Sequence, residues 1–535
     1  MQKTYFSLYR NTLLLLVSVL FSAQVSRAQA TYVPYSYQFD QKFDAQIYSV
    51  NTSFHTSLKP FIMDSVISGR YTQLMSVGVD SSYKGWVWRK LFNEHLFDER
   101  NSEYTFFADY LPDLLVGRDF KNKTNTDLNT RGYQIGGTIG SKFYFYSSGY
   151  EDQGRFDNYV HNYIALVHMI PGEAYDRDNR SSPTADWSYV TAIVSYTPIK
   201  QLNITLGEDK TFIGDGYRSL LLSDYAANYP LLRLTANLGK VQYMFMVADL
   251  EDTKLPQYDT FGNNRRKTAV FHYVDWNVTN RLSLGFFDAL IAAEANDDGT
   301  ELHGFDVNYI NPLPFVSAIG PSTPYKDNIL NGFTAKYKIL DKTAVYAQLL
   351  LDRVDAADAP KNTGGYQVGI RGADLFGVKN FNYLVEYNTV KPYTYASTQS
   401  ISSYSDYSEP LGDPLGANFR ENIAILDYSI GRFDFQGQVN YAAYGVDSTG
   451  TVDEGKDFTK PIVSSNITSV STGQGISTHL YYAEGTVGYL INPKFNLRLE
   501  VGGLYRLESN SLGKTRTELI TFGLRSTFRD LYHDF

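Results

Sequence analysis

From Tyr189 onward, two-faced strands are joined by connections that alternate strictly between short and long. Lys494–Arg506, KFNLRLEVGGLYR, sets Phe495, Leu497, Leu499, Val501 and Tyr505 on one face and Asn496, Arg498, Glu500 and Arg506 on the other. In Arg516–Phe528, Ile520, Phe522, Leu524 and Phe528 alternate with Thr521, Gly523, Arg525 and Thr527. A period of two means strand, because successive side chains leave opposite faces of a pleated backbone. The charged face needs water and the apolar face needs oil. A second sheet supplies the oil in a soluble sandwich; lipid supplies it in a transmembrane barrel.

The connections favour the barrel. Residues 198–201, 239–240, 277–280, 340–342, 377–380, 431–432 and 491–493 are short and mostly rich in Gly, Asn, Asp and Pro, as tight turns require. Between them lie 210–228, 293–327, 391–419 and 446–475. Hairpins at one end and excursions at the other are the asymmetry of an outer-membrane barrel, with short periplasmic turns and long extracellular loops. Fifteen strands from Tyr189 plus Phe106–Leu115, Gly132–Ile139 and Lys142–Tyr150 make eighteen, with sixteen as the alternative count. The expectation is an all-β, antiparallel transmembrane barrel over 104–535, wide enough for an aqueous lumen unless loops or the N-terminal segment fill it.

Composition agrees. The 44 Tyr and 33 Phe suit surfaces that are apolar at one end and wet at the other, and no apolar run after residue 30 is long enough for a membrane helix. Residues 1–30 have the layout of a secretory signal peptide: Lys3 and Arg10, an apolar stretch Thr12–Ala23, then Ala28-Gln29-Ala30. No Cys is present, which excludes a disulfide framework and a lipid-anchored N-terminal Cys. A net charge of −9 gives no attraction to nucleic acid. Residues 31–103 form a separate N-terminal segment, expected on the periplasmic side. There Trp88, Leu91, Phe92, His95 and Leu96 fall at helical spacing within Gly85–Phe97, and Phe61–Ser76 is a second helical candidate.

Against this frame, Gly207–Leu238, GEDKTFIGDGYRSLLLSDYAANYPLLRLTANL, resembles the signature of the Wzi-like capsule-assembly outer-membrane proteins, and specifically their Bacteroidota branch of gliding-motility (RemB-type) proteins. Trp88-Arg89-Lys90-Leu91 with Glu94-His95-Leu96, Thr130-Arg131-Gly132 and Tyr532-His533-Asp534-Phe535 agree with it. The resemblance implies an eighteen-stranded barrel with periplasmic helices in a Gram-negative outer membrane. It implies contact with capsular or exopolysaccharide, or a role in gliding with gliding-motility partners. Phe535 resembles the terminal aromatic residue that outer-membrane insertion machinery recognises, and Arg516–Phe535 reads as barrel wall.

Catalysis is not expected. The eight His residues form no Ser/His/Asp grouping that the sequence can assign, and no Gly-x-Ser-x-Gly elbow occurs. Glu208, Asp209, Asp215 and Asp224 gather with three glycines in an extracellular loop. They serve either turn formation or contact with Ca²⁺ or sugar hydroxyls, with Tyr217 and Tyr225 as stacking faces and Arg218 beside them. The spacing does not match a calcium loop, so no metal and no cofactor is expected. Further aromatic residues mark other loops: Tyr150, Tyr159, Tyr163 and Tyr175; Tyr309, Phe315 and Tyr325; Tyr393, Tyr395, Tyr404 and Tyr407. Loops 210–228 and 151–186 are the expected contact surface for polysaccharide or a gliding partner, with Arg498, Arg506 and Arg525 lining the lumen. A passive porin or sugar-uptake channel is the competing expectation. Oligomeric state is open.

Overall fold

The computed structural model describes residues 35–177, 183–253, 264–300, 309, 311, 327–353, 363–448, 452–463, 470–526, 528–529 and 531–535. The expected signal peptide, residues 1–30, and Phe315, Tyr325 and most of 293–327 lie outside the described residues.

Eighteen antiparallel strands close into one barrel. They are β1 Tyr104–Asp119, β2 Thr124–Ile139, β3 Phe143–Arg155, β4 Ala185–Ile199, β5 Leu202–Asp209, β6 Tyr229–Asn237, β7 Val241–Asp252, β8 Arg265–Asn277 and β9 Leu282–Ala293. They continue as β10 Asn328–Leu340, β11 Thr343–Arg353, β12 Thr363–Gly372, β13 Phe381–Val390, β14 Phe419–Ile430, β15 Phe433–Val446, β16 Ile476–Asn492, β17 Leu497–Asn510 and β18 Gly513–Ser526. Closure pairs Leu519–Leu524 of β18 with Leu114–Asp119 of β1. Among these the count is eighteen rather than sixteen. The early strands run longer than the sequence suggests, because charged residues at their ends stand clear of any oily layer.

The outer face is apolar. Leu499, Val501 and Tyr505 of β17 and Ile520 and Phe522 of β18 point outward, while Arg498, Glu500 and Arg506 point inward. Near the short-turn end, Trp276, Tyr337, Phe433 and Tyr489 are exposed on the wall, an aromatic girdle at the level where lipid gives way to water. Three details differ from the sequence expectation. Phe495 sits in a 3₁₀ turn, Pro493–Phe495, before β17. The wall ends at Ser526, so Phe528 packs inward on Phe39, ring centroids 5.1 Å apart. Phe535 likewise ends no strand but packs among Tyr159 and Tyr163, at 5.6 and 4.6 Å.

The N-terminal segment is helical in short pieces. Trp86–Phe92 forms one helix and Ser68–Leu74 another. The first stops before His95, whose ring is instead drawn to Asp109 of β1 (Nδ1 to Oδ2, 2.6 Å). Phe97–Arg100 adds a short strand beside β1. Residues 35–59 do not stay outside the barrel. They enter its lumen from the short-turn end, where Arg371 of β12 grips Asp44 through two Nη2 contacts of 2.8 Å.

Candidate functional site

The lumen is filled, and the filling is built around loop 210–228. The sequence expectation put this loop on the surface; the structure turns it inward. Asp209, Asp215, Arg218, Asp224 and Tyr225 are buried, and only Glu208 and Tyr217 are partly accessible. The driving force is Leu220-Leu221-Leu222, all fully buried against Met244 and Met246 of β7, Phe271 of β8 and Phe287 of β9. Three leucines withdrawn from water contribute roughly 5–9 kcal/mol, more than the loop's turn chemistry offers in return for staying out. The inner faces of β7–β9 are accordingly apolar, so these strands are oily on both sides.

Two elements hold the inverted loop. Ile213 pairs with Leu58 and Phe212 with Lys59 in a two-stranded ladder, so the N-terminal segment and the loop meet inside the barrel. Asp215 lies at that junction. Tyr48 Oη and Ser57 Oγ donate to its carboxylate at 2.8 and 2.7 Å, Thr56 Oγ1 donates as well, and Lys336 Nζ of β10 stands 3.7 Å away. Burial opposes ionisation of Asp215, but Lys336, Lys59 and the hydroxyls outweigh it and hold the carboxyl below the ordinary carboxylate range.

Deeper in the lumen, Arg218 is the hub. Its Nη2 donates to the backbone O of Asp534 at 2.6 Å and lies 3.0 Å from the Asp534 carboxylate and 3.3 Å from Glu421 of β14. Glu386 of β13 accepts from the backbone N–H of Tyr217 (3.0 Å) and of Arg218 (3.1 Å). Tyr217 Oη donates to Asp534 at 3.0 Å, and Tyr532 Oη donates to Asp224 at 2.5 Å. Residues 528–529 and 531–535 are thus placed in the lumen and locked to the loop. Arg529 extends the lock to the opposite wall, donating to Asp152 of β3 (2.6 and 2.9 Å), Glu173 (2.5 Å) and Thr130 of β2 (3.2 Å). Burial pushes Glu173 up to about 7, with Arg529 opposing.

Arg498, Arg506 and Arg525 face the interior. Arg525 bridges Asp113 of β1 (2.8 Å) and Glu500 of β17 (3.0 Å), Arg498 pairs with Glu500 (2.7 Å), and Arg506 lies 4.3 Å over the ring of Tyr159. Arg525 thereby joins neighbouring strands of the wall, with Arg498 beside it on Glu500, and Arg506 reaches the filling, donating also to Phe535 O at 3.2 Å. A polar cavity of about 90 Å³ remains beside Arg498, Arg525, Glu484 and Asp534. Among the described residues no group of three or more His, Cys, Asp or Glu is placed to hold a metal ion.

The long-loop end is roofed by helix Asn158–Val167, capped by Asp157, and by the 391–418 loop. Tyr395 and Tyr404 of that loop donate to the backbone O of Leu220 and Leu221 at 2.7 and 2.5 Å. What stays accessible at the mouth is a different set from the one the sequence singled out. His168, Tyr175 and Tyr407 form a half-buried run of rings, with centroids 5.9 and 6.5 Å apart. Burial raises the Tyr407 hydroxyl above its ordinary range, and the neighbouring carboxylates of Glu251, Asp406 and Glu208 raise it further. Tyr407 holds a left-handed backbone (φ 54°), a conformation that costs a Tyr energy and clusters at working sites. Tyr175 and Tyr407 are visible in the sequence as loop aromatics; nothing in it pairs them.

A closed eighteen-stranded barrel, apolar outside, girdled by aromatics and filled with charged and hydrogen-bonded groups, is a transmembrane β-barrel of the outer-membrane type. Its fold is Wzi-like. The chain is similar to Wzi of Escherichia coli, described as an outer-membrane protein involved in group 1 capsule assembly and as a carbohydrate-binding β-barrel. The TM-score is 0.55 at 12% identity, over 94% of this chain and 100% of that one. OprD of Pseudomonas aeruginosa (TM-score 0.41, 11% identity, 78% of this chain and 94% of that one) also aligns. So does OccAB2 of Acinetobacter baumannii (0.42, 10%, 79% and 99%). No protein-family model and no curated protein sequence matches.

Proposed function

We propose that this protein is a non-catalytic outer-membrane factor that binds or helps assemble surface polysaccharide, with its long loops facing the medium. Support for gliding motility through a cell-surface partner is a further role within the same proposal. The observation that carries it is the filled lumen. A barrel whose interior holds loop 210–228 tied to the C-terminal residues by Arg218, to the N-terminal segment at Asp215 and, through Arg529, to the opposite wall is built to present a mouth rather than to pass solutes. Rings flanked by carboxylates, as at Tyr175, Tyr407, Glu208 and Glu251, offer a sugar both a flat apolar face and hydroxyl acceptors.

Deleting 210–228 would unpack the centre of the lumen, so the sharper experiment alters the mouth alone. Tyr175→Ala/Tyr407→Ala is expected to lower retention of extracellular polysaccharide and surface spreading while the purified barrel stays silent in planar bilayers. Large steady conductance from the native protein would favour the porin reading, and full retention by the double variant would remove the mouth from consideration.

A further inference from the structure

Residues 78–92 lie outside both the barrel and its filling, and the chain then returns to β1 through buried Asn93 and His95. Arg432 in the β14–β15 turn donates to Gly78 O, and Asn492 Nδ2 at the end of β16 donates to Lys90 O and Glu94 O at 2.9 and 3.0 Å. These bonds tether helix Trp86–Phe92 to the outer rim of the short-turn end. The helix does not use its apolar side chains against the barrel. Trp86 is 59% exposed and Trp88 55%, and Val87, Leu91 and the following Phe97 are exposed with them. Trp88 stacks on Phe92 (5.8 Å) and Phe92 on Tyr83 (5.2 Å), so the rings form a rigid shelf. Lys90 and Arg89 are turned to Glu94 at 2.9 and 3.2 Å, which gives the shelf a polar flank.

An apolar patch of this kind on a protein surface marks an interaction site. Its place on the fold names the occupant. The same rim carries the aromatic girdle of Trp276, Tyr337, Phe433 and Tyr489, and Phe97 pairs with Ala108 on the outer face of β1, so the patch is continuous with the lipid-facing wall. Tryptophans beside basic groups, next to an apolar belt, match the zone between phospholipid headgroups and acyl chains. We infer that residues 83–92 form an interfacial anchor, lying in the headgroup layer of the phospholipid leaflet at the short-turn end and extending the girdle beyond the barrel wall.

The test uses the full chain in vesicles of phosphatidylethanolamine and phosphatidylglycerol. Trp86→Phe/Trp88→Phe keeps both positions apolar and leaves Trp187 and Trp276 in place, and heat-modifiable gel migration verifies the barrel. The emission lost in this variant belongs to Trp86 and Trp88. That difference emission is expected to be blue-shifted, to lose most of its intensity when the lipids are brominated high on their chains, and to resist acrylamide. Quenching by acrylamide with no response to brominated lipid would place the shelf in water and overturn the anchor. Protection from both quenchers would mean a protein partner covers it and would overturn it equally.

Discussion

Arg218 offers the most direct test of how the lumen is held shut. In Arg218→Met the aliphatic stem and its packing are kept and only the guanidinium goes. What it leaves behind is Glu421 and Asp534, both almost wholly buried, with Asp413 fully buried nearby. Removing one partner of a buried ion pair costs about 3–5 kcal/mol, because the remaining charge is uncompensated. The wall cannot relieve that cost, since Glu421 is fixed in β14. The 528–535 segment can, because withdrawing it carries Asp534 back to water. The expected outcome is therefore an opened lumen in an intact barrel, with the filled-to-open equilibrium shifted by roughly 100- to 4,000-fold. Planar-bilayer recording would read this as brief conducting events absent from the native protein, and hydrogen exchange as faster labelling of 210–228 and 531–535. Glu421→Gln in the same chain removes one orphaned charge, so the double variant should recover at least about 1 kcal/mol of the loss. Unchanged conductance and exchange, or effects of the two substitutions that add within about 0.5 kcal/mol, would refute the hub.

Four other substitutions, one of them a control, probe the same architecture. Asp215→Asn leaves Lys336 and Lys59 facing a neutral group, and limited proteolysis should then cut within 35–63 while β1–β18 resist. Because the Asp215 carboxyl is held below its ordinary value, its contribution is present above that value and lost as pH falls through the depressed one, so acid should release this segment only under strongly acidic conditions. Glu409, which accepts from Tyr163 Oη (3.1 Å) and Gly172 N (3.2 Å), behaves oppositely. Burial pushes it up to about 8, so its contribution is complete below the ordinary carboxylate value and is lost as pH rises through about 8. Hydrogen exchange at Gly172, corrected for intrinsic rate, should accelerate over that window in the native protein and not in Glu409→Gln. Gly214→Ala should destabilise by about 1–3 kcal/mol in urea. Its φ is +144° and an added Cβ would run into the Gln348 amide, which holds Leu220 N (2.9 Å) and Ile213 O (3.0 Å). Gly140→Ala, in a turn with open space around it, should cost less.

The wall was legible in the sequence and the filling was not, for one physical reason. Lipid imposes the same demand on every strand, so Leu499, Val501, Ile520 and Phe522 declare their face by alternation alone. The lumen imposes no common demand, because each strand meets a different piece of the filling. β7–β9 face the Leu220–Leu222 triplet and read as apolar on both sides; β17 meets Tyr159 and the Phe535 carbonyl through Arg506 and reads as half charged. The 210–228 loop carries Asp215, Asp224 and two glycines, with Glu208 and Asp209 just before it, and so resembles a solvated excursion. The three consecutive leucines were the signal that it is not one. His95 misleads at a smaller scale: its helical spacing with Trp88 and Leu91 is real, but the pull of Asp109 ends the helix earlier.

Where the signature pieces meet also constrains where function can sit. Thr130, Arg218, Asp224, Tyr532 and Asp534 come from three distant parts of the chain and converge inside the barrel, where most of their polar groups are occupied by one another. Groups already committed to buried partners have little capacity left for a sugar, and exposing them would cost the charge compensation that holds the lumen closed. The resemblance therefore describes the lock that makes this barrel a solid support. Under the proposed function, recognition would come from side chains the lock does not consume. At the mouth that means rings such as Tyr175 and Tyr407 and carboxylates such as Glu208, whose environment leaves one face toward the medium.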